Sequence, residues 1–305
     1  MSASPVIFPV IREQTPRSIL TSVSGFLAEA GFTHSLSPAR NCTYGCSYCY
    51  VPTMRLYGGL TSEDWTHWGQ FTTFKSNAPE LLRSALKSGQ AIYCSPLVDP
   101  YQPAEGSRRL MPQILESVLR CPPRVFVIQT RGTLILRDVS LLRGLSKLTT
   151  LRVSFSITTD REDVRRRYEP HCESNNERLA AIRELNAAGI ETYATLAPLL
   201  PCDPERLATL ALEASRRRLI GDPFHIRAAK PRGATTREAA RRIAERHGEL
   251  DWFQPAFQAN VVHTIEQAAR RANLDFTTGS KGFSWLARHS NAEPRISSTG
   301  LALAT

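Results

Sequence analysis

The sequence lacks any apolar stretch of about 18 residues, the length that a membrane-spanning helix requires. Its first residues, MSASPVIFPVIREQ, also lack the positively charged segment, the apolar run and the small-residue cleavage site of a secretory signal. Both absences argue against an integral membrane protein and against a secreted one. We therefore expect a soluble, cytoplasmic protein.

Cysteine is scarce as well: the 305 residues contain seven, and three of the seven fall in one short stretch. An odd, clustered set does not suit a disulfide framework, which pairs cysteines across a secreted fold. It suits a reducing compartment in which thiols stay free. The length and the 42% hydrophobic content allow one large α/β domain with a full core.

Negative charge is in deficit, because 38 Lys and Arg face 28 Asp and Glu, which gives a net charge of +10. Clustered positive charge can bind phosphates. The arginine groups fall inside predicted helices, at 165–167, 216–218, 241–242 and 270–271. Arginine is a good helix former and often lines a solvated face. We interpret these groups as helix surface, with a phosphate- or nucleic-acid-binding face as the alternative.

Apolar strand patterns alternate with helical patterns along most of the chain. The predicted strands are 32–36, 91–97, 124–130, 151–158, 190–199 and 223–229. The predicted helices are 78–88, 108–120, 137–147, a broken stretch at 161–188, 204–219, 235–246 and 255–273. Because a helix carries each crossover back to the same sheet edge, this order predicts an α/β fold with a parallel sheet.

The strongest chemical signal is the stretch NCTYGCSYCY, residues 41–50. Cys42, Cys46 and Cys49 form a C-x3-C-x2-C array, and one short loop can turn three thiolates toward a common centre. Structural zinc would need a second cysteine pair or two histidines. No second pair exists, and the nearest histidines lie eight residues before Cys42 and eighteen residues after Cys49. Three thiolates instead suit a [4Fe-4S] cluster with one open iron.

This array, with Tyr48 just before the last cysteine, resembles that of the radical S-adenosylmethionine (radical SAM) superfamily. The resemblance implies that SAM binds the open iron and that one electron cleaves it to a 5'-deoxyadenosyl radical. The implied cofactors are a [4Fe-4S] cluster, held by Cys42, Cys46 and Cys49, and S-adenosyl-L-methionine. An electron donor of the flavodoxin or ferredoxin type is the implied partner.

Further segments look like the group that includes spore photoproduct lyase and relatives labelled as lesion-repair proteins. They are NAPELLRSAL from Asn77, VDPYQPAE from Val98, LILRDVSLL from Leu134, VSFSITTD from Val153, YEP from Tyr168 and AAGIETYATLAPLLP from Ala187. The chain departs from that group at residues 39–41, at Val98, at Cys172 and at Cys202, where Gly is common. The resemblance is therefore to the broader group rather than to the lyase itself.

The resemblance implies a partial (β/α)6 TIM-type barrel with a C-terminal helical extension. On this basis we expect an N-terminal lead-in at 1–31, the radical SAM barrel at 32–230, C-terminal helices packed on the barrel at 231–292 and a disordered tail at 293–305. The site should lie at the C-terminal ends of the strands.

SAM contacts are implied at two strand ends. In this family the end of the second strand holds the methionyl amino group, which implies Cys94, Ser95 and Pro96. The end of the fourth strand contacts ribose and carboxylate, which implies Ser156 and Thr158. Strand alternation places these two hydroxyls on one face, although a hydroxyl bonded to the backbone is equally common.

Other candidates follow from position. The DPYQP segment comes just after a strand end, so Asp99, Tyr101 and Gln102 are site candidates unless the segment is only a rigid turn. Glu169 and His171, beside Cys172, could position substrate or SAM, or could lie on the surface. The candidate cofactor contacts are together Tyr48, Ser95, Pro96, Asp99, Gln102, Ser156, Thr158, Glu169 and Leu199.

A radical enzyme that removes a hydrogen often has to return one, and a thiol S–H bond is weak enough to supply it. Our first candidate is Cys202, which follows the fifth strand in a stiff turn. Cys172 and Cys94 come next, and Tyr101 is a further source. A small buried residue is the alternative for each cysteine. We expect Cys121, at a helix end, to be inert.

Three functions remain open on the sequence. The preferred one is a redox-neutral epimerisation or rearrangement of a nucleoside- or sugar-like small molecule. The second is repair of a pyrimidine lesion in DNA, which would need a face that tracks the phosphate backbone. The third is a cluster-bearing binding protein without catalysis. Fold alone does not choose among them.

The cysteine array makes the first testable prediction. The anaerobically reconstituted protein should carry iron and sulfide near four per chain and should release 5'-deoxyadenosine from SAM under a strong reductant. Replacement of Cys42, Cys46 or Cys49 by Ala should lower both sharply. Iron analysis and chromatography of the nucleoside measure the two quantities. Variants that kept the full cluster and full cleavage would show that the cluster lies elsewhere.

Overall fold

The computed structural model describes residues 10–227 and 235–289. Within them the strands are β1 Val10–Gln14, β2 Leu20–Ser22, β3 His34–Leu36, β4 Ala39–Arg40, β5 Phe71–Lys75, β6 Ala91–Cys94, β7 Val125–Thr130, β8 Thr150–Ser156, β9 Glu191–Leu196, β10 Leu219–Gly221 and β11 Phe276–Thr278. The α-helices are α1 Phe26–Glu29, α2 Val51–Met54, α3 Ser62–Thr66, α4 Ala78–Ala85, α5 Glu105–Arg108, α6 Leu110–Arg120, α7 Val139–Leu145, α8 Glu162–Tyr168, α9 Asn175–Ala187, α10 Pro204–Ser215, α11 Glu238–Arg246, α12 Pro255–Arg271 and α13 Gly279–Ala287. Short 3₁₀ helices span Arg55–Gly58, Thr133–Asp138 and Leu250–Phe253.

The main sheet has eight strands in the order β11-β10-β9-β8-β7-β6-β3-β2. Neighbours from β3 to β11 are parallel, whereas β2 runs antiparallel beside β3. Each new parallel strand lies beside the previous one, because helices carry the chain back to the same end of the sheet. The prediction of an α/β fold with a parallel sheet is therefore confirmed. In the described ranges β2 and β11 do not pair, so a closed or partial barrel stays a prediction.

A smaller sheet has the order β1-β5-β4 and leads into the cysteine loop. Its β1 and β5 are parallel, and β4 is antiparallel to β5. The sequence pattern did not reveal it, because β1 is mostly exposed and β4 has only two residues. Strand β4 of this sheet ends at Arg40, and the cysteine loop at residues 41–50 begins directly after it.

The prediction of the sixth strand at 223–229 is wrong. The sixth parallel strand is β10, three buried residues, the first of which the sequence assigned to the end of the helix at 204–219. Helix α10 instead ends at Ser215, because Arg216 is left-handed with φ 52° and turns the chain back toward the sheet. Residues 223–227 form a loop, and 228–229 lie outside the described residues, as does the predicted tail at 293–305.

Strand residues alternate between the two faces of the main sheet. On the face that we call the inner face, Tyr93, Val127 and Ile220 pack in one apolar cluster with Phe283 and Leu286 of α13. Helix α13 therefore covers the inner face where the strands begin. The catalytic groups expected at the strand ends must lie beyond this cover.

The opposite face carries Ile92, Ile128 and Val153, which belong to the larger apolar core beneath α4, α6, α9 and α10. These side chains are fully buried, and each contributes about 1.5–3 kcal/mol relative to an exposed position. None of the helices in the described part of the chain combines the length and the apolar character that crossing a membrane would take.

A buried arginine fixes α13 in place. Arg152, on the inner face of β8, is 1% exposed. Its Nε donates to Oε1 of Glu191 at 2.8 Å, and its Nη1 donates to the carbonyls of Leu286, at 3.0 Å, and of Arg288. These carbonyls stand at the C-terminal end of α13, where the helix itself offers them no partner. One side chain thus satisfies both the helix end and a carboxylate.

We expect Arg152→Ala to lower the free energy of unfolding by about 3 kcal/mol, because it removes the nearest cation from Glu191 and uncaps α13. Urea unfolding followed by circular dichroism measures the change. Arg83→Ala, an exposed arginine on α4, is the matched control and should change stability by less than about 0.5 kcal/mol. Equal effects of the two substitutions would contradict the role given to Arg152.

Candidate cluster and cofactor site

The cysteine loop is anchored by its first residue, Asn41, directly after β4. Asn41 is buried and left-handed, with φ 59°, a conformation that asparagine tolerates better than most residues. Its Oδ1 accepts from the backbone N–H of Cys42, at 2.8 Å, and of Gly69, at 2.9 Å. Its Nδ2 donates to the carbonyls of Asp64 and His67 at 3.3 Å. One side chain therefore joins the loop to the segment between α3 and β5.

Two glycines let the same segments touch. A Cβ built on Gly69 would lie 2.7 Å from Cα of Gly45, and real Cβ atoms essentially never come so close. Gly45 also has φ 58°, in the left-handed region that favours glycine. A side chain at position 69 would therefore displace the cysteine loop.

The thiols of the loop are free, and their surroundings differ. Cys42 and Cys46 are buried and Cys49 is partly exposed. Burial raises the pKa of Cys42 well above its usual value and that of Cys49 to about 12. The pKa of Cys46 is lowered, because a hydrogen bond with Cys172 and the charge of Arg131 outweigh the effect of burial.

The donor set fits a [4Fe-4S] cluster, which is held by cysteine thiolates. Two tight turns keep the donors on one short loop: Gly45 N donates to Cys42 O at 3.0 Å, and Cys49 N donates to Cys46 O at 3.3 Å. Over residues 10–227 and 235–289, no group of three or more His, Cys, Asp or Glu side chains stands in a metal-holding arrangement. The fit therefore rests on the donor chemistry and on the loop.

The loop after β6 supports the cysteine loop through Gln102. Its Oε1 accepts from the backbone N–H of Thr43 at 2.7 Å and from the Thr43 hydroxyl at 3.0 Å. Its Nε2 donates to Oγ1 of Thr72 at 3.2 Å. The side-chain amide of Gln102, a predicted cofactor contact, is thus hydrogen-bonded within the protein, and these bonds hold the cysteine loop in place.

Asp99 connects the ends of two neighbouring strands. Its carboxylate accepts from the Thr130 hydroxyl at 2.6 Å and from the backbone N–H groups of Tyr101, at 2.9 Å, and Arg131, at 2.8 Å. Burial raises the pKa of Asp99 in spite of these bonds. The turns after β6 and β7 are therefore fixed to each other.

Glu169 is the centre of a buried network that we call the Glu169 network. Its carboxylate pairs with Arg131 at 2.6 Å and with Arg178 at 2.8 Å. It also accepts from the hydroxyls of Thr158, at 2.9 Å, and of Tyr48. Burial raises the pKa of Glu169, but the two arginines outweigh burial and the net shift is downward. An ionised carboxylate thus joins the cysteine loop to the ends of β7 and β8.

Sequence reasoning missed both arginines of this network. Arg131 directly follows β7, and its Nη1 contacts Tyr48 and lies 3.7 Å from Sγ of Cys46. Its position at the C-terminal end of a strand could have identified Arg131 as a site candidate. Arg178 lies within α9 and is fully buried, and nothing in the pattern of that helix separates it from a surface arginine.

Ser95 directly follows β6, and its buried hydroxyl has no hydrogen-bond partner among the described residues. A buried hydroxyl without a partner costs free energy unless a ligand satisfies it. The placement therefore fits the SAM contact expected at this strand end.

Polar side chains form a layer on the inner face, between α13 and the strand ends. Gln129 Oε1 accepts from the hydroxyls of Tyr93, at 2.6 Å, and Ser154, at 2.7 Å, while its Nε2 donates to Ser156 Oγ at 2.7 Å. Ser154 and Thr195 share a hydrogen bond of 2.6 Å. Since Ser156 accepts from Gln129, its own hydroxyl hydrogen can be donated beyond the layer.

The remaining cofactor candidates lie at the same end of the sheet without joining the Glu169 network. The carbonyl of Pro96 accepts from the Tyr50 hydroxyl at 2.8 Å. Leu199 is buried, and its backbone N–H donates to the carbonyl of Asp222 at 2.9 Å. Burial and the neighbouring carboxylate of Asp138 raise the pKa of Tyr101.

The three cysteines considered as hydrogen donors occupy different surroundings. Cys94 follows Tyr93 on β6 and so lies on the opposite face of the sheet, in the apolar core. Cys172 is buried, and burial together with the neighbouring Cys46 raises its pKa. Cys202 is partly exposed in the turn after β9. Burial and the charge of Asp160 raise its pKa, so this thiol keeps its hydrogen at neutral pH.

Comparison with known proteins gives a family match and several relatives. The model of the Radical SAM superfamily matches residues 36–212. An uncharacterized protein of Methanocaldococcus jannaschii is 29% identical over 160 residues, which cover 52% of this chain and 58% of that one. An uncharacterized protein of Mycobacterium tuberculosis is 28% identical over 174 residues, which cover 56% and 50%. The chain thus spans between half and three fifths of the length of these curated relatives.

Solved structures of spore photoproduct lyase share the fold. A variant with bound AdoMet and dinucleoside spore photoproduct has a TM-score of 0.56 and 14% identity, over 88% of this chain and 81% of that chain. The enzyme complexed with dinucleoside spore photoproduct has a TM-score of 0.50 and 17% identity, over 78% and 66%. Identities this low show likeness of fold alone.

We expect Glu169→Gln to lower the free energy of unfolding at neutral pH by about 3 kcal/mol, because two buried arginines lose their common carboxylate. The native pKa of Glu169 is depressed below the unfolded value of about 4.3, so the stabilisation is present above that value and is lost as pH falls through the native pKa. The difference between wild type and variant should therefore shrink below about pH 4.

Urea unfolding over a pH series tests this expectation. Glu184→Gln, an exposed position on the same helix as Arg178, is the matched control and should change stability by less than about 0.5 kcal/mol. A Glu169→Gln protein as stable as this control would show that the network contributes nothing to the fold.

Proposed function

Because the chain belongs to the radical SAM superfamily, whose members bind a [4Fe-4S] cluster and S-adenosylmethionine, we propose that it removes a hydrogen atom from a small nucleoside- or sugar-like substrate and catalyses a redox-neutral epimerisation or rearrangement. The observation that carries this proposal is the placement of the cysteine loop at the same end of the sheet as the polar strand ends after β6, β7 and β8. The reductant is proposed to be a flavodoxin- or ferredoxin-type protein.

When bound, the cluster and SAM together supply a 5'-deoxyadenosyl radical. In this proposal Cys42, Cys46 and Cys49 hold the cluster. The buried hydroxyl of Ser95 receives the methionyl amino group of SAM, and this contact would satisfy an oxygen that otherwise has no partner. Orientation of the cofactor is what the protein contributes to such chemistry.

The Glu169 network keeps the cysteine loop in register with these contacts. Thr158 and Tyr48 donate to the same carboxylate, so the end of β8 and the loop cannot shift independently. Arg131, 3.7 Å from Sγ of Cys46, places a positive charge beside the loop. We assign these residues to positioning, since their polar groups are engaged with one another.

The polar layer on the inner face favours a hydroxyl-bearing substrate. Gln129 fixes the orientation of Ser156, whose hydroxyl hydrogen can then be donated to a ligand above the layer. An apolar substrate would leave such a group without a partner, which costs about 1–3 kcal/mol. Helix α13 covers the polar layer on the side away from the strand ends.

Cys202 remains our candidate for the hydrogen donor. It follows β9 at the end of the sheet where the cysteine loop lies, and its raised pKa keeps the S–H bond intact. Cys94 lies on the opposite face of the sheet. Cys172 is engaged with Cys46 and is better suited to supporting the cluster loop than to meeting a substrate radical.

Repair of a pyrimidine lesion in DNA is the second candidate function. The net charge of +10 favours it, because phosphate binding by basic proteins is largely electrostatic. Two arginines that follow β8 and β9 argue the other way, because each has a carboxylate partner: Arg161 pairs with Asp163, and Arg206 pairs with Asp160. Duplex binding of about 10⁻⁴ M or weaker at physiological salt would remove this candidate.

We expect a Cys202→Ala protein to keep substrate-dependent formation of 5'-deoxyadenosine while releasing little product, because abstraction is intact and hydrogen return is not. Nucleosides and sugars that raise 5'-deoxyadenosine above the substrate-free level identify the substrate. Mass spectrometry in deuterated buffer then measures solvent deuterium in the product, which should be lost in the variant.

Cys121→Ala is the matched control, since the Cys121 thiol donates to the Leu86 carbonyl at 3.5 Å, at the far end of α6. It should incorporate deuterium as the wild type does. Full incorporation by Cys202→Ala, Cys172→Ala and Cys94→Ala alike would exclude a thiol donor at these positions and leave Tyr101 or returned deoxyadenosine as the source.

A further inference from the structure

A second group of polar side chains, separate from the Glu169 network, borders the cysteine loop. It contains His225, Arg227, Thr235, Thr236 and Arg237, and we call it the rim group. Thr236 N donates to the carbonyl of His225 at 2.9 Å, and the Thr236 hydroxyl accepts from His225 N at 3.0 Å. Arg227 Nη2 donates to Oγ1 of Thr235 at 3.5 Å. Main-chain and side-chain bonds thus hold the two described stretches of this group together.

The rim group is fastened to the cysteine loop and to the helix that follows it. Arg237 N donates to the carbonyl of Tyr48 at 3.4 Å. Thr235 and Thr53 exchange two hydrogen bonds, Thr53 Oγ1 to Thr235 O at 3.1 Å and Thr235 N to Thr53 Oγ1 at 3.2 Å. The backbone of the rim group at residues 235–237 therefore lies beside the cysteine loop and α2.

Tyr50 relates the rim group to the SAM contacts. Its hydroxyl reaches the carbonyl of Pro96, just after Ser95, while its ring faces the ring of His225 with centroids 6.3 Å apart. Only the ring of Tyr50 would therefore separate a ligand bound by the rim group from the end of β6, where Ser95 lies.

The cationic side chains of the rim group differ in their contacts with carboxylates. Asp222 faces His225, with Oδ2 2.6 Å from Nε2. The guanidinium of Arg237 meets no carboxylate within ion-pair distance in the part of the chain that the structure describes, and it is only partly exposed. Arg131, which also contacts the cysteine loop, differs in this respect, because it pairs with Glu169. Arg237 follows Thr235 and Thr236 directly in the chain, and a guanidinium without a carboxylate partner, together with hydroxyl groups, can bind a phosphate.

We propose that Arg237, with the hydroxyls of Thr235 and Thr236, binds a phosphate ester carried by the substrate. This rests on the proposed function and specifies it: the nucleoside- or sugar-like molecule is phosphorylated. Its phosphate lies at the rim, where Thr235 and Thr236 add hydroxyl donors, and its reacting carbon extends over the polar layer. The same chemistry would recognise a backbone phosphate of DNA, so the test separates the two sources.

Anaerobic calorimetry on the cluster-loaded full chain tests the site directly, without SAM and without turnover. The probes are inorganic phosphate, thymidine, thymidine 5'-monophosphate and a short oligothymidylate. The monophosphate should bind about tenfold or more tightly than thymidine, since a charge-assisted hydrogen bond is worth about that factor or more. Arg237→Gln should remove most of this gain, and Arg237→Lys should keep part of it.

Arg242→Gln is the matched control, because Arg242 is exposed on α11 and its loss changes the net charge equally. It should keep the full gain. Iron content and circular dichroism of each variant separate loss of fold from loss of binding, and Arg237→Lys replaces Arg237→Gln if the latter does not fold.

Each outcome bears on the site. Equal binding of thymidine and its monophosphate together with no binding of inorganic phosphate would overturn it, as would equal losses in Arg237→Gln and Arg242→Gln. A dependence on Arg237 for the oligothymidylate alone would support the site with DNA as the phosphate source. Inorganic phosphate that binds through Arg237 while neither nucleoside ligand binds would support the site and contradict the nucleoside part of the proposed function.

Discussion

The site depends on one buried negative charge, the carboxylate of Glu169. Taken alone, a carboxylate in this position would be expelled or protonated, because an ion loses several kcal/mol on leaving water. Arg131 and Arg178 make its ionisation favourable, and the hydroxyls of Thr158 and Tyr48 donate to its Oε1. A single group thereby holds four parts of the chain: the cysteine loop, the ends of β7 and β8, and helix α9.

Tyr50 joins two distant parts of the main sheet. Its hydroxyl bonds the carbonyl of Pro96, after β6, and its ring centroid lies 6.3 Å from that of His225, after β10. These strands are four places apart, about 19 Å in a flat sheet at about 4.8 Å per strand. The segments that follow the two strands therefore converge beside the cysteine loop.

The sequence analysis correctly predicted the features that repeat or cluster along the chain. Apolar strands with helices between them gave the parallel sheet, and cysteine spacing gave the cluster loop. It failed where structure depends on distant partners: β10 is too short to show a pattern, and its boundary is set by the left-handed Arg216. For the same reason the buried Arg178 looked like a surface residue. Its partner, Glu169, lies outside its own helix, so local periodicity could not reveal it.

Helix α13 has a consequence for the synthesis of the chain. It is the last of the described elements, yet it covers the inner face of strands that are made much earlier, β6 and β7 among them. Until it emerges from the ribosome, Tyr93, Val127 and Ile220 lack the cover of Phe283 and Leu286, although Phe32 already packs on Tyr93. Nascent chains with such surface are prone to aggregate. Truncation before α13 would therefore harm the yield of folded protein more than its distance from the cysteines suggests.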